Sequence, residues 1–162
     1  MINDRRVIEY FSKELTRRMN TDGLKDRDIS TYCCISEENL RGYRCGERLP
    51  NPWYLVMMSE FLECSVNDLL GFSYFDDYVD FESAKASRVF SSENQFELYL
   101  GRRIDSYMNK RRISINMLSM NSGISIDTIK HWLGKHPRLP RTTQLLRVCD
   151  VLDCTPSDLL GY

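Results

Sequence analysis

Histidine is scarce in this chain, with two residues among 162, so there is little of the side chain that most often ligates metals or acts as a general base. Six cysteines are present, but none forms a C-x-x-C pair, and the chain also lacks a phosphate-binding glycine loop. We therefore expect no metal, no cofactor and no enzymatic activity. The cysteines are interpreted as small buried residues, with the adjacent pair Cys33 and Cys34 as the most reactive exception.

Long apolar runs are also missing. No stretch approaches the roughly 20 uninterrupted apolar residues that a membrane helix requires, and residues 1–6 lack the apolar run of a signal peptide. Hydrophobic residues nevertheless make up 42% of the sequence, which is enough for packed cores. We expect a folded protein that resides in the cytoplasm.

The net charge of −1 is unusual for a protein that binds nucleic acid, because contacts to phosphates rely on Lys and Arg. The charges are unevenly distributed, however. Residues 1–72 contain 10 basic and 12 acidic side chains, residues 73–95 contain 2 and 5, and residues 96–162 contain 10 and 6. A polyanion would therefore be expected to bind the carboxy-terminal part of the chain.

Two segments of the chain match each other over most of their length. Apolar residues lie 89 positions apart from Leu15 and Ile104 up to Tyr43 and Trp132, and one inserted residue then moves the offset to 90. The repeat predicts a domain at 1–72 and a second at 96–162. The intervening segment 73–95 is acidic and aromatic, unlike a flexible Gly/Ser linker.

Helical spacing of apolar residues predicts an all-α fold. They recur every four positions in the first long helix of each copy, as Phe11, Leu15 and Met19 and as Leu100, Ile104 and Met108. Capping-box patterns that start at Ser65 and Thr155 predict a short closing helix in each copy.

The middle of the second copy predicts two helices joined by a tight turn. A short helix near 114–121 is followed by Gly123, which can adopt the left-handed conformation that ends a helix, and by a second helix that opens at Ser125. Burial of Leu118, Ile124 and Ile129 would fix the two helices at a steep angle. The outer face of the second helix would then be free to enter a major groove.

At these residues the chain resembles the phage-repressor and Cro-like (Xre-type, lambda-repressor-like) helix-turn-helix family. The resemblance extends over both copies and is carried by residues 113–132, the turn Leu139-Pro140 and the closing segment 152–161. It implies two tandem five-helix domains and a sequence-specific, DNA-binding regulator of transcription. It also implies a homodimer on double-stranded DNA, although tandem copies could let one chain act as a pseudo-dimer.

In this family the first turns of the recognition helix read bases. The corresponding residues here are Ser125, Ile126, Asp127, Thr128, Lys130 and His131. Lys130 and His131 can donate to guanine, Thr128 can bond to several bases, Ile126 can contact a thymine methyl group, and Asp127 can accept from cytosine. Phosphate contacts are predicted for the flanking residues Lys110, Arg111, Arg112, Ser114, Lys135, Arg138 and Arg141. The alternative is that all of these are ordinary exposed residues.

The first copy is predicted to read DNA poorly. Glu37 and Glu38 open its recognition helix, Gly42 replaces the side chain equivalent to His131, and Cys34 occupies the position of Gly123. Its possible DNA contacts are Arg41, Arg44 and Arg48. Its fourth helix carries an apolar excess that predicts a protein interface, at Trp53, Tyr54 and Met57. Packing within the chain is the alternative for that surface.

A second function stays open, which is a protein-interaction adaptor built on a helix-turn-helix scaffold that does not bind DNA. The basic second copy favours DNA binding over this alternative.

Overall fold

The computed structural model describes residues 3–72 and 90–162, and all regular secondary structure in these ranges is α-helical. The helices are α1 (Asp4–Thr21), α2 (Asp26–Cys33), α3 (Glu37–Arg44), α4 (Pro52–Phe61), α5 (Val66–Leu70), α6 (Glu93–Arg111), α7 (Ile115–Ser122), α8 (Ile126–Leu133), α9 (Thr142–Leu152) and α10 (Pro156–Leu160). Within the same ranges, no helix has both the length and the apolar character needed to cross a membrane.

The chain divides into two compact units. Among the described residues, the first unit takes in 3–50 and 54–72 with Tyr162, and the second takes in 51–53 and 90–161. Helices in the two units begin at equivalent positions, since α3 and α8 start 89 residues apart and α5 and α10 start 90 apart. Most of the acidic, aromatic segment, residues 73–89, lies outside the described residues. Its last part belongs to α6, which begins at Glu93, three residues before the predicted start of the second domain.

The predicted apolar stripes are confirmed as the core of each unit. Phe11, Leu15 and Ile104 are fully buried, and the other members of the two stripes are at most 4% exposed. Burial of each such side chain stabilises the fold by about 1.5–3 kcal/mol. In the second unit α6 packs against α8 and α10, and α9 packs against α7. The long helix α6 is therefore the support on which the candidate recognition helix lies.

Both predicted capping boxes are present. The Ser65 hydroxyl accepts from the Asp68 N–H at 3.0 Å, and the Asp68 carboxylate accepts from the Ser65 N–H at 3.0 Å. Thr155 and Asp158 make the equivalent bonds at 3.1 and 2.9 Å. These reciprocal bonds satisfy backbone donors that the first turn of a helix leaves without partners.

The cysteines are free, and no group of three metal-ligating side chains occurs in the described part of the chain. Cys33 is buried and Cys34 is exposed. Burial raises the pKa of Cys64 to about 12. A hydrogen bond from Cys149 lowers the pKa of Cys154, and the same bond together with burial raises that of Cys149. This thiol pair was not expected from the sequence, because no motif marks a spacing of five residues.

At two equivalent helix ends, the left-handed residue is glycine in one unit and a larger residue in the other. Gly123 ends α7 with φ of 69°, whereas Cys34 ends α2 with φ of 55°. At the end of the first long helix the order is reversed, since Gly23 has φ of 65° and Arg112 has φ of 56°. Cys34 and Arg112 therefore each carry backbone strain of about 1 kcal/mol.

Candidate nucleic-acid interface

The turn between α7 and α8 is fixed by hydrogen bonds and by buried apolar side chains. Gly123 adopts the left-handed conformation that the sequence predicted, and the Ser119 hydroxyl donates to the Ile124 carbonyl at 2.6 Å. Leu118 and Ile129 are fully buried, and Ile124 is 4% exposed. Because both helices bury side chains at this turn, the angle between them is set by packing.

The outer face of α8 presents mostly polar side chains. Its inner face is formed by Ile129 and Trp132, which are 0% and 3% exposed. The residues predicted to read bases lie at the start of the helix and along its outer face: Ser125, Ile126, Asp127, Lys130 and His131 are exposed, and Thr128 is half-buried. The structure thus brings the six predicted residues together on one short helix.

Two of these residues hold the start of the helix. The Ser125 hydroxyl accepts from the Thr128 N–H at 3.2 Å, and the two hydroxyl oxygens are 2.7 Å apart. Each hydroxyl therefore already has a partner within the helix. A base that contacts either one must share that partner or replace it.

The far end of α8 lies directly against the backbone of α6 at Gly101. A Cβ atom placed on Gly101 would stand 2.4 Å from the Trp132 carbonyl oxygen, which is closer than Cβ atoms come to other atoms. At the equivalent place in the first unit, the Ser12 hydroxyl donates to the Arg44 carbonyl at 2.6 Å. Gly101 was missed by sequence reasoning, although a glycine inside a long helix is a signal of close packing.

Cationic side chains follow α8 in the chain. The Arg138 N–H donates to the His131 carbonyl at 3.3 Å, which places Arg138 beside the end of α8. Arg141 is the N-cap residue of α9, and its N–H donates to the Gln144 side chain at 3.0 Å. Arg138, Arg141 and Lys135 are exposed. Their charged groups are therefore accessible to a phosphate.

The cations that precede α7 are not equivalent to one another. Arg111 forms an ion pair with the Asp153 carboxylate at 3.1 Å and donates to its carbonyl at 2.8 Å, so its charge is partly neutralised. Lys110 and Arg112 are exposed. The Ser114 hydroxyl caps α7 by accepting from the Met117 N–H at 3.2 Å. Lys110 and Arg112 are therefore better placed than Arg111 to contact a phosphate.

Arg112 offers a test that separates stability from binding. Changing Arg112 to glycine should raise the free energy of unfolding by about 0.5–1 kcal/mol, because glycine adopts the left-handed conformation without strain. The same change should weaken duplex binding and reduce its salt slope by about 1, because one cation is lost. Cys34→Gly is the matched control, and it should stabilise the first unit without altering binding. Urea unfolding and fluorescence anisotropy measure the two effects, and unchanged binding by Arg112→Gly would exclude Arg112 from the interface.

The equivalent helix of the first unit, α3, has fewer accessible cations. Arg44 forms an ion pair with Asp26, and the Arg48 guanidinium donates to the Asn39 side chain at 2.6 Å. Arg41 is exposed, and Gly42 is buried beside Glu47. Two of the three arginines that were possible DNA contacts thus have partners within the first unit.

The predicted protein interface at the start of α4 is smaller than the sequence suggested. Met57 is 6% exposed and therefore offers almost no surface. Trp53 and Tyr54 are half-buried. Trp53 belongs to the second unit, where its ring lies 5.5 Å from that of Phe96. Packing within the chain thus covers part of this apolar surface.

A helix, a left-handed turn and a second helix with an exposed polar face define α7 and α8 as a helix-turn-helix. Residues 103–162 match the model of the Cro/C1-type HTH DNA-binding domain, a span that covers the second half of α6 and all of α7 to α10. This part of the chain is therefore similar to a Cro/C1-type helix-turn-helix domain. No curated protein and no solved structure matches the chain.

Proposed function

We propose that this protein is a sequence-specific DNA-binding regulator of transcription that acts in the cytoplasm and consists of two tandem helix-turn-helix domains. The second domain inserts α8 into the major groove of double-stranded DNA. The observation that carries this proposal is the exposed, polar face of α8, flanked by accessible cations, within a segment that matches a DNA-binding domain family.

The side chains divide into two roles. Base edges are read by α8, from the six residues Ser125, Ile126, Asp127, Thr128, Lys130 and His131. Phosphates on either side of the groove are held by Lys110, Arg112, Lys135, Arg138 and Arg141, with the Ser114 hydroxyl. Arg111 contributes less, because Asp153 already neutralises it.

The first domain is proposed to have a smaller share in DNA contact. Acidic Glu37 and Glu38 open α3, and the guanidinium groups of Arg44 and Arg48 already have partners. A phosphate would have to compete with those partners. A homodimer would read two half-sites about 34 Å apart, as dimers of this class do.

The rival function is a protein-interaction adaptor, which is favoured by the net negative charge of the whole chain. The two functions differ in their response to salt. A DNA-binding protein releases counterions from phosphates, so its affinity for any duplex falls steeply as the salt concentration rises. An adaptor has no such dependence.

Fluorescence anisotropy with a random-sequence duplex tests the proposal. Five accessible cations at the interface should give a slope of log K against log salt of about −4.5. Selection from a random duplex library should then yield one preferred site, bound at least about 1,000-fold more tightly than random sequence. Absence of binding at low salt would favour the adaptor.

A further inference from the structure

The ring of His131 is held by its own helix. Its Nδ1 atom lies 2.7 Å from the backbone carbonyl oxygen of Asp127, one turn earlier in α8. A carbonyl oxygen can only accept a hydrogen bond, so Nδ1 carries the hydrogen and donates. In the neutral ring Nε2 then has a free lone pair and is an acceptor. This is the reverse of the donor role that the sequence suggested for His131.

Asp127 and His131 lie four residues apart and therefore share one face of α8. Both side chains are exposed. The Asp127 carboxylate is an acceptor only, and Nε2 of the neutral His131 ring, on the same face, is also an acceptor. The face thus presents two neighbouring acceptors, while Lys130 supplies a donor from the next position along the helix.

Base pairs differ in the groups that they offer to such a face. In the major groove adenine and cytosine present exocyclic amino groups, which donate, whereas guanine presents O6 and N7 and thymine presents O4, all of which accept. Two acceptors that face each other repel, and each is left without a partner. A pair of acceptors on α8 therefore favours amino groups and disfavours the guanine edge.

We infer that the Asp127 and His131 side chains select bases that carry an exocyclic amino group, adenine or cytosine, at two neighbouring positions of the DNA site. This inference rests on the proposed function and names the class of base read by one part of the recognition helix. The base opposite Lys130 is a separate position, where a donor favours guanine.

The tautomer can be measured without DNA. Two-bond ¹H–¹⁵N correlation spectra of the full chain distinguish a protonated Nδ1 from a protonated Nε2 in each histidine. His131 should show the Nδ1–H tautomer in mildly alkaline buffer. His136, which is also exposed, serves as the reference in the same spectrum. An Nε2–H tautomer for His131 would overturn the inference while leaving DNA binding intact.

Selection from random duplexes supplies the second measurement. The wild-type chain should prefer adenine or cytosine at two neighbouring positions, by about tenfold each. The variant His131→Arg carries donors only and should move the preference at one of these positions to guanine. The control variant His136→Arg adds the same charge and should leave the preference unchanged.

The outcomes separate the two proposals. A guanine preference that disappears in His131→Ala would overturn the inference and leave the proposed function standing. Equal shifts in preference from His131→Arg and His136→Arg would also overturn it, because the effect would then come from charge alone. Failure of the wild-type chain to bind any duplex would overturn the proposed function and the inference together.

Discussion

Replacing Gly101 by alanine should lower the free energy of unfolding of the second unit by about 2 kcal/mol and weaken DNA binding at least tenfold. The added Cβ would stand 2.4 Å from the Trp132 carbonyl, and neither partner is a flexible side chain that can turn away. Overpacking of this kind costs about 3 kcal/mol. The higher helix propensity of alanine offsets about 1 kcal/mol of that cost. Binding falls because the end of α8 must move away from α6.

Two control variants isolate the effect of the close approach. Ser106→Ala is an exposed substitution on the same helix and should change stability by less than about 0.5 kcal/mol. Ser12→Ala removes the equivalent contact in the first unit, should cost about 1 kcal/mol, and should leave DNA binding unchanged.

Urea unfolding followed by tryptophan fluorescence reports on the second unit, which contains Gly101, because Trp53 and Trp132 both belong to that unit. An unchanged midpoint for Gly101→Ala would show that α6 and α8 do not approach as closely as described.

Much of the fold could be predicted from the sequence because it depends on local patterns. The spacing of Phe11, Leu15 and Met19 identified the buried side of α1, and Gly123 identified the turn before α8. The sequence assigned residues 96–162 to the second domain, and α6 begins three residues before that segment, at Glu93. Ser92 caps this helix by accepting from the Gln95 N–H, whereas residues 73–95 were considered only by their acidic and aromatic composition.

Contacts between distant residues could not be predicted in the same way. Arg111 was grouped with its basic neighbours, yet its partner is Asp153, 42 residues later in the chain. Met57 was assigned to an exposed surface because its helix is rich in apolar residues, but it is only 6% exposed. The role of His131 as donor or acceptor depends on the orientation of its ring, which residue type alone does not determine.

These partners explain why residues of the same type are not equivalent in the two units. Each unit has arginines near its third helix. In the first unit Arg44 forms an ion pair with Asp26, and Arg48 is exposed but donates to Asn39, whereas in the second unit Arg138 and Arg141 are exposed beside the end of α8 and the start of α9. The proposed function therefore requires local charge near α8, and the net charge of the chain is a poor guide.

Charge reversal in matched pairs tests this requirement. The double variant Arg138→Glu/Arg141→Glu should lose about 100-fold or more in affinity for a random duplex, since two phosphate contacts are replaced by repulsion. The double variant Arg41→Glu/Arg48→Glu produces the same change in net charge on the first unit and should lose less than about threefold. Anisotropy titrations at several salt concentrations measure both affinities, and circular dichroism verifies that both variants fold.

The matched net charge makes the comparison decisive. A long-range effect of total charge would weaken both variants alike, because it does not depend on where the substitutions lie. A loss of affinity that occurs only in Arg138→Glu/Arg141→Glu can come only from contacts near α8. The salt slope of that variant should also be shallower by about 1.8. Equal losses with unchanged salt slopes would mean that total charge sets the affinity, whereas equal losses with shallower slopes for both variants would mean that both units contact DNA. A loss confined to Arg41→Glu/Arg48→Glu would assign DNA binding to the first unit instead.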